Sequence, residues 1–148
     1  MGPAGQRPWK RPESVLVVVH TDGGRVLLLR RREPAGFWQS VTGSLEWGEE
    51  ADAAAARELA EETGIRARPV ATGLCFRYPI VPPWRARYDP AVRENLEHVY
   101  DLRLPAPVPV QPDPREHLEA VWLPREEAAA RVFSATNREA IRRLAGGG

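Results

Sequence analysis

The acidic, alanine-rich stretch from Glu49 to Thr63 constrains the fold of this chain more than any other segment. Alanine, glutamate, arginine and leucine favour helix, and acidic residues at the start of a helix suit its dipole. Gly64 follows at the point where such a helix would end. The sequence therefore predicts one helix over this range, with the rest of the fold arranged around it.

Aliphatic runs before this helix predict strands. Ser14 to His20 and Arg25 to Leu29 are separated by a glycine-rich turn, a pattern typical of a β-hairpin. Both runs are continuously apolar, so we expect them to be buried on both faces. A third strand is expected from Phe37 to Thr42, leading into Gly43.

Strands and helices are also predicted after the helix. The strands are expected at Ile65 to Tyr78, Glu97 to Leu104 and Ala120 to Leu123. The helices are expected at Arg125 to Arg131 and Asn137 to Ala145. Thr136 and Glu139 have capping-box spacing. Pro79 to Pro90, with four prolines, predicts an ordered loop with little regular structure. Together the elements indicate an α/β fold, an α/β/α sandwich with a mixed sheet.

Composition limits the class of protein. The 148 residues, 43% of them hydrophobic, support one domain over residues 1–148. The 21 Lys and Arg nearly balance the 20 Asp and Glu, so neither a nucleic acid polymer nor a membrane is expected as the main partner. Cys75 is the only cysteine, and Met1 to Lys10 lacks the apolar stretch of a secretory signal. These features predict a cytoplasmic protein, and they leave open whether it is a monomer or a homodimer.

Glu58, Glu61 and Glu62 share one face of the predicted helix, within about a 100° arc. Like charges at helical spacing destabilise by roughly 0.2 to 0.5 kcal/mol per pair. A divalent cation reverses that repulsion, and Mg²⁺ is usually shared between one or two carboxylates and substrate phosphates. The helix taken alone favours the other interpretation, a solvated face on which Arg57 pairs with Glu61.

A longer pattern surrounds these glutamates. Its fixed positions are Gly43, then after five residues Glu49, then after seven residues Arg57-Glu58-Leu59, and then Glu61-Glu62 and Gly64-Ile65 with one residue before each pair. This 23-residue run resembles the loop-helix-loop signature of the Nudix hydrolases at every fixed position. The resemblance implies the Nudix fold and metal-dependent hydrolysis of the phosphate chain of a nucleotide-like substrate.

The resemblance also implies roles within the motif. The first-choice metal ligands are Glu58 and Glu62, with Glu61 close behind. Glu61 is also the candidate base, while Arg57 orients the glutamates and Glu49 either binds metal or holds Arg57. Gly43 would bring the backbone close to the metal or the phosphates. The expected cofactor is Mg²⁺, with Mn²⁺ as an alternative.

Segments outside the motif resemble the bacterial dihydroneopterin triphosphate pyrophosphatases. They are Lys10-Arg11-Pro12, Phe37 to Ser44, Arg87-Tyr88 with Pro90, Glu116-His117-Leu118 followed by Trp122-Leu123, and Ser134 to Ile141. The stretch from Arg66 to Pro83 matches only loosely. The resemblance implies hydrolysis of 7,8-dihydroneopterin 3'-triphosphate to the monophosphate and pyrophosphate. It also implies that Glu116 completes the metal site, although the residues alone favour a surface acid there.

A substrate pocket is implied by the same resemblance. Cationic and donor groups for the triphosphate are expected at Lys10, Arg31 and Thr42, with a solvated strand end as an equal alternative for Arg30 to Arg32. An apolar slot for a flat ring is expected at Tyr78, Pro79, Ile80, Val81 and Trp84, with Ser134 at the base of the last helix. Core packing is an equal alternative for Tyr78, and it is favoured for Trp38 and Trp122.

Two other functions stay open at the level of sequence. A nucleotide-pool enzyme acting on dATP or an oxidised purine triphosphate would need a similar slot for a fused ring. A non-catalytic Nudix-like nucleotide sensor would bind ligand without turnover, although the intact acidic core favours an enzyme. A comparison of kcat/KM for the pterin and dATP separates the first alternative.

Overall fold

A mixed β-sheet organises the computed structural model, which describes residues 9–82 and 84–145. Its strands are β1 (Glu13–Thr21), β2 (Arg25–Arg31), β3 (Trp38–Gln39), β4 (Val41–Ser44), β5 (Val70–Pro79), β6 (Glu94–Leu104) and β7 (His117–Pro124). The helices are α1 (Ala51–Thr63), α2 (Arg125–Arg131) and α3 (Ala135–Leu144), with a 3₁₀ turn at Arg85–Arg87. Most of the segment from Met1 to Lys10, where no secretory signal was expected, lies outside the described residues.

β1 is central to the sheet. It runs parallel to β6 along its whole length, from Glu13 opposite Leu96 to Thr21 opposite Leu104. It runs antiparallel to both β2 and β4. β5 pairs antiparallel with β6, and β7 pairs antiparallel with β2. The prediction of a mixed sheet is therefore confirmed.

The hairpin of β1 and β2 opens into a fork. The two strands pair at His20 and Val26, next to the turn, and beyond that point β3 and β4 lie between them. β3 pairs with β2, whereas β4 pairs with β1. The prediction of one continuous strand from Phe37 to Thr42 was wrong, because the chain passes from one partner strand to the other at Ser40.

Ser40 is held at the fork by α3. Its backbone N–H donates to Asn137 Oδ1 at 2.9 Å, and Asn137 Nδ2 donates to Ser40 Oγ at 2.9 Å. Both residues are buried. These bonds satisfy a buried N–H that lies outside the strand ladders, where an unpaired group costs about 1–3 kcal/mol.

Two hydrophobic cores lie on opposite faces of the sheet. Val15 and Val17 pack on one face with Leu59 of α1, and the alternate residues Leu16 and Val18 pack on the other with α2 and α3. Because alternate residues of β1 are all buried, both faces of the strand are covered. The α/β/α sandwich and the doubly buried hairpin are confirmed.

Packing against these cores confirms two further expectations. Trp38 packs on the core beside α2 and α3, and Trp122 packs on the core beside α1.

No helix within residues 9–82 and 84–145 combines the length and the apolar character needed to cross a membrane.

Two local predictions were wrong. β5 begins at Val70 rather than Ile65, because Ile65 packs against the α1-side core after the chain has left the helix at Gly64. The cap of α3 is Ser134, whose Oγ accepts from the N–H of Asn137 at 3.3 Å, so there is no capping box of Thr136 and Glu139. Thr136 instead donates to Glu97, and Glu139 pairs with Arg143.

Candidate active site

Helix α1 carries the acidic residues into the structure. Gly64 ends the helix in the left-handed conformation, with φ of 81°, and its N–H donates to the carbonyl of Ala60 at 2.9 Å. Leu59 is fully buried on the inner face. The side chain of Glu62 is therefore carried into the interior, where 2% of it is exposed, whereas 53% of the Glu61 side chain is exposed.

Arg57 holds the acids of the motif together. Its guanidinium donates to both oxygens of Glu49, each at 2.8 Å. It also donates to Glu58 Oε2 at 3.1 Å and to Glu61 Oε1 at 3.2 Å. The hydrogen bond between Arg57 and Glu49 is the main reason that the pKa of Arg57 is raised and that of Glu49 is lowered. Of the two alternatives for Glu49, the structure shows the contact with Arg57.

Glu58 and Glu62 form a buried carboxyl pair. Burial raises the pKa of both groups, and the neighbouring Glu58 raises that of Glu62 further. Glu62 Oε1 is buried with no hydrogen-bond partner among the described residues, and its distance from His117 Nε2 is 3.9 Å. An unpaired buried oxygen beside a second carboxyl fits a hard divalent cation, whose preferred ligands are carboxylate oxygens.

Gly43 makes room for this pair. A Cβ atom on Gly43 would overlap the carboxyl group of Glu58. The backbone of the preceding residue, Thr42, hydrogen-bonds Glu62 and favours its charged form. β4 therefore contacts both carboxyl groups directly, with Gly43 against Glu58, and the approach of Gly43 to metal or phosphates stays a prediction.

Glu116 is placed differently from the other two predicted metal ligands. It is exposed just before β7, yet close enough for its charge to raise the pKa of Glu62. Across residues 9–82 and 84–145, no three His, Cys, Asp or Glu side chains are already gathered as a metal-binding group. Adjacent His117 is buried, and burial lowers its pKa to about 4. The structure thus brings Glu58 and Glu62 together and leaves Glu116 nearby.

A cavity of about 410 Å³ lies next to the carboxyl pair. It is lined by all the residues predicted to bind substrate: Lys10, Arg31, Thr42, Tyr78, Pro79, Ile80, Val81 and Ser134. The sequence predictions missed other lining residues, among them Ser14, Gln39, Asn95, Glu97, Phe133 and Thr136. Their roles in binding stay predictions, but the structure places the predicted set around one space.

Aromatic rings form one wall of this cavity. Trp84 and Phe133 both line it and stack with ring centroids 5.4 Å apart. Phe37 also stacks on Phe133, with ring centroids 4.4 Å apart, and lies 6.0 Å from Trp84, so the three rings form one cluster. Phe133 is 42% exposed although large and apolar, which suits a surface that receives a flat ring. It escaped prediction because it is a single aromatic residue between two helices.

A polar cleft of about 600 Å³ continues from the cavity. Arg31 and Trp84 line both spaces, and Arg87, Arg115 and Glu116 line the cleft. No role had been predicted for Arg87 or Arg115. Burial and the charges of Arg87 and Arg31 lower the pKa of Lys10. This concentration of positive charge suits a chain of phosphates.

One part of the cavity lining, called the floor below, consists of five polar residues: Ser14, Tyr78, Asn95, Glu97 and Thr136. Burial raises the pKa of Glu97 to about 7, and its Oε1 accepts from Thr136 Oγ1 at 2.9 Å. Asn95 Nδ2 donates to Ser14 Oγ at 2.8 Å and to Tyr78 Oη at 3.1 Å. Burial also raises the pKa of Tyr78, which is hydrogen-bonded to Glu97.

Known proteins resemble this chain over most of its length. The dihydroneopterin triphosphate diphosphatase of Escherichia coli (strain K12) is 43% identical over 139 residues, which cover 90% of this chain and 91% of that protein. The Haemophilus influenzae protein of the same name is 34% identical over 142 residues, 91% of this chain and 88% of that protein. The similarity therefore spans both the motif and the cavity.

A comparison of folds also shows similarity over most of the chain. The solved structure of the Escherichia coli dihydroneopterin triphosphate pyrophosphohydrolase superposes with a TM-score of 0.88 and 38% identity, covering 96% of this chain and 100% of that one. Residues 10–144 match the NUDIX domain. This range includes the acidic helix, both arms of the fork and the cavity. The chain belongs to the Nudix family.

Proposed function

We propose that this protein is a Nudix pyrophosphohydrolase that converts 7,8-dihydroneopterin 3'-triphosphate to dihydroneopterin monophosphate and pyrophosphate, a step of folate biosynthesis. The Escherichia coli and Haemophilus influenzae relatives carry the name of this substrate. The cavity suits a bicyclic ring, because it combines an aromatic wall with a polar floor.

One observation carries the proposal: β4 lies between the cavity and the carboxyl pair. Thr42 and Gly43 line the cavity, while Thr42 hydrogen-bonds Glu62 and Gly43 lies against Glu58. A substrate with its ring in the cavity would bring its first phosphate to these carboxyl groups. Its outer phosphates would extend towards Arg31 and the cleft beyond.

The metal site proposed for this arrangement uses Glu58 and Glu62, with Glu116 completing it from the rim. Nudix hydrolases generally depend on a divalent metal ion, and the oxygen donor set favours Mg²⁺, with Mn²⁺ as the alternative. When bound, the cation neutralises phosphate charge and lowers the pKa of a bound water. The unpartnered Oε1 of Glu62 is the observation on this chain that supports such a site.

The chain's own residues would divide the chemical work. In the proposed reaction, water attacks the α phosphorus. The bond between that phosphorus and the oxygen that bridges it to the β phosphorus breaks, and this oxygen leaves as part of pyrophosphate. Glu61, exposed and held by Arg57, would accept the proton of the water. Lys10, Arg31 and Thr42 would bind phosphates. The ring would lie against the residues of the slot, namely Tyr78, Pro79, Ile80, Val81 and Ser134.

The domain organisation, the location and the class of substrate are part of the same proposal. We propose that residues 1–148 act as one domain in the cytoplasm on a small-molecule triphosphate, as a monomer or homodimer. The two cores that share one sheet support a single domain. The near balance of 21 basic and 20 acidic residues supports a small substrate rather than a nucleic acid polymer or a membrane.

The first experiment compares the purified protein with its Glu62→Gln variant. Each is incubated with dihydroneopterin triphosphate or dATP, in Mg²⁺ or in EDTA, and pyrophosphate is measured separately from phosphate. We expect pyrophosphate release that needs the metal, favours the pterin and is lost in the variant. Glu127→Gln on the exposed face of α2 is the matched control and should keep full activity.

The other outcomes are equally informative. A preference for dATP would make the protein a nucleotide-pool enzyme. Ligand binding without turnover by the unaltered protein would favour the sensor. Phosphate in place of pyrophosphate would move the attack away from the α phosphorus and contradict the proposed reaction.

A further inference from the structure

The carboxyl group of Glu97 lies in the cavity but has no part in the proposed hydrolysis. It is on β6, whereas the acidic pair is on α1, and only 4% of Glu97 is exposed. A buried carboxyl group is unfavourable unless its hydrogen-bonding capacity is used. Thr136 and Tyr78 occupy part of that capacity, which leaves acceptor sites for a ligand.

Neighbouring side chains hold Glu97 and the floor in one orientation. Asn95 uses its Nδ2 group on Ser14 and Tyr78, and its Oδ1 is buried without a partner among the described residues. Tyr78 accepts from Asn95 and is bonded to Glu97, while Thr136 reaches Glu97 from α3. The floor is thus a connected hydrogen-bond network in which the Glu97 carboxyl group and Asn95 Oδ1 can still accept hydrogen bonds, for example from N–H groups of a ring.

We propose that Glu97 binds the hydrogen-bonding edge of the substrate ring, and that its protonation state decides which ring is preferred. The ionised carboxylate accepts two parallel N–H bonds, which matches the adjacent ring N–H and 2-amino group of a pterin. The protonated carboxyl donates one bond and accepts one, which matches the ring nitrogen and 6-amino group of adenine. The inference rests on the proposed function and names the selectivity of that site.

The surroundings of Glu97 allow both forms. Burial raises its pKa to about 7, while the hydrogen bonds from Thr136 and Tyr78 limit the rise. Tyr78 of β5 is the titratable group facing it, and Ser14 of β1, Asn95 of β6 and Thr136 of α3 are neutral. The carboxyl group therefore changes charge within the range in which the enzyme can be assayed.

The decisive experiment measures kcat and KM for dihydroneopterin triphosphate and dATP between pH 5.5 and 8.5. For the unaltered protein, the ratio of the two kcat/KM values should move towards the pterin as pH rises through about 7. Effects of pH on the shared hydrolysis cancel in this ratio. Above pH 7, Glu97→Gln should lower the pterin value about 10- to 100-fold, mainly through KM. Below pH 7 it should keep the dATP value, because a neutral amide donates and accepts as the protonated carboxyl group does.

Glu13→Gln is the matched control. Glu13 is on the neighbouring strand β1, pairs with Arg11, contacts His98 Nε2 at 2.6 Å, and does not line the cavity. The Glu13→Gln variant should keep both the ratio of the two kcat/KM values and the change of that ratio with pH. In Glu97→Gln the ratio should be low and independent of pH, which a purely structural role for Glu97 would not produce. Glu97→Asp, which keeps the acid, should retain the pH dependence with weaker binding.

A binding measurement separates this inference from the proposed function. Dihydroneopterin monophosphate and dAMP are titrated by calorimetry in EDTA, where no turnover occurs. The same switch of preference with pH, lost in Glu97→Gln, supports the inference even if neither triphosphate is hydrolysed. Equal preference and equal pH dependence in the unaltered protein and Glu97→Gln would overturn it, even if hydrolysis of the pterin is confirmed.

Discussion

Gly43 shows how one missing side chain shapes the site. The carboxyl group of Glu58 occupies the space that a Cβ atom would take. In Gly43→Ala that carboxyl must move, and because it is the end of a flexible side chain, the backbone can stay folded. We expect kcat/KM to fall about 100-fold, because a misplacement of a functional group by about 1 Å can reduce the rate by that factor. The Tm should change little.

Gly23→Ala is the control for this prediction. Gly23 lies in the turn between β1 and β2, and the nearest atom to an added Cβ would be Thr21 Oγ1 at 4.0 Å. Activity should be unchanged there. A fully active Gly43→Ala would show that the position of Glu58 does not matter for turnover.

Glu97 should also affect stability in a pH-dependent way. Its pKa is about 7 in the folded protein, whereas an unburied glutamate has an ordinary pKa of 4.5, so the folded state holds the proton more tightly. The free energy of unfolding should therefore decrease as pH rises from about 4.5 to about 7, and Glu97→Gln should remove this decrease. The stability difference between variant and unaltered protein should change by about 3 kcal/mol over that range, as measured by urea unfolding.

Glu13→Gln gives the opposite sign in the same measurement. The pKa of Glu13 is lowered in the folded protein despite partial burial, because His98 and Arg11 donate hydrogen bonds to it. Its contribution to stability is present above the ordinary glutamate pKa of 4.5 and is lost as pH falls below it. A stability difference for Glu97→Gln that is constant with pH would contradict the prediction.

At the scale of elements, α1 could be predicted because its determinants are local. Arg57 and Glu61 are four residues apart, and Gly64 ends the helix through a bond to Ala60. The fork could not be predicted, because Ser40 depends on Asn137, which is 97 residues away. Strand propensity gives the same pattern for one strand as for two short strands that meet at a buried residue.

The same distinction explains which site residues were found. Glu58, Glu61 and Glu62 are recognisable because they belong to a continuous 23-residue motif, of which the helical spacing is only one part. Glu97 is distant in sequence from Thr136 and becomes part of the site only when β6 meets α3. Phe133 forms its stack with Phe37 and Trp84 across three separate segments. Tertiary contacts of this kind leave no periodic signal in the sequence.

Asn137→Ala tests the link between α3 and the fork. It removes both bonds to Ser40 and leaves the buried N–H of Ser40 unpaired. We expect a loss of about 2–3 kcal/mol in the free energy of unfolding, together with a higher KM because Asn137 lines the cavity. Ser40→Ala keeps the backbone bond and should lose only about 1 kcal/mol. Equal losses in the two variants would show that the backbone bond is not important.

At the scale of the whole molecule, a cation held by the buried pair on α1 would link metal binding to stability. Without a cation, the neighbouring Glu58 disfavours the ionised form of Glu62, and Glu62 Oε1 lacks a partner among the described residues. A cation at 100 times its Kd should stabilise the fold by about 2.7 kcal/mol, which corresponds to a rise of about 5–10 °C in Tm.

Thermal unfolding in Mg²⁺ and in EDTA measures this effect. NaCl at matched ionic strength controls for screening of surface charge. The rise should be absent or much smaller in Glu62→Gln. If Mg²⁺ raised the Tm of that variant by the same amount, the cation would bind elsewhere.

The fork at Ser40 also determines how this fold tolerates insertion and deletion. Side chains alternate between the faces of a strand, so one extra residue at Ser40 would turn every β4 side chain to the opposite face. Gly43 would then no longer lie against Glu58, and Thr42 would leave the cavity. In the proposed binding mode, the number of residues from Gln39 to Gly43 would therefore set the distance between the substrate ring and its first phosphate. In that binding mode, a ring of different size would be accommodated at Val81 and Trp84, which line the cavity from a loop outside the sheet.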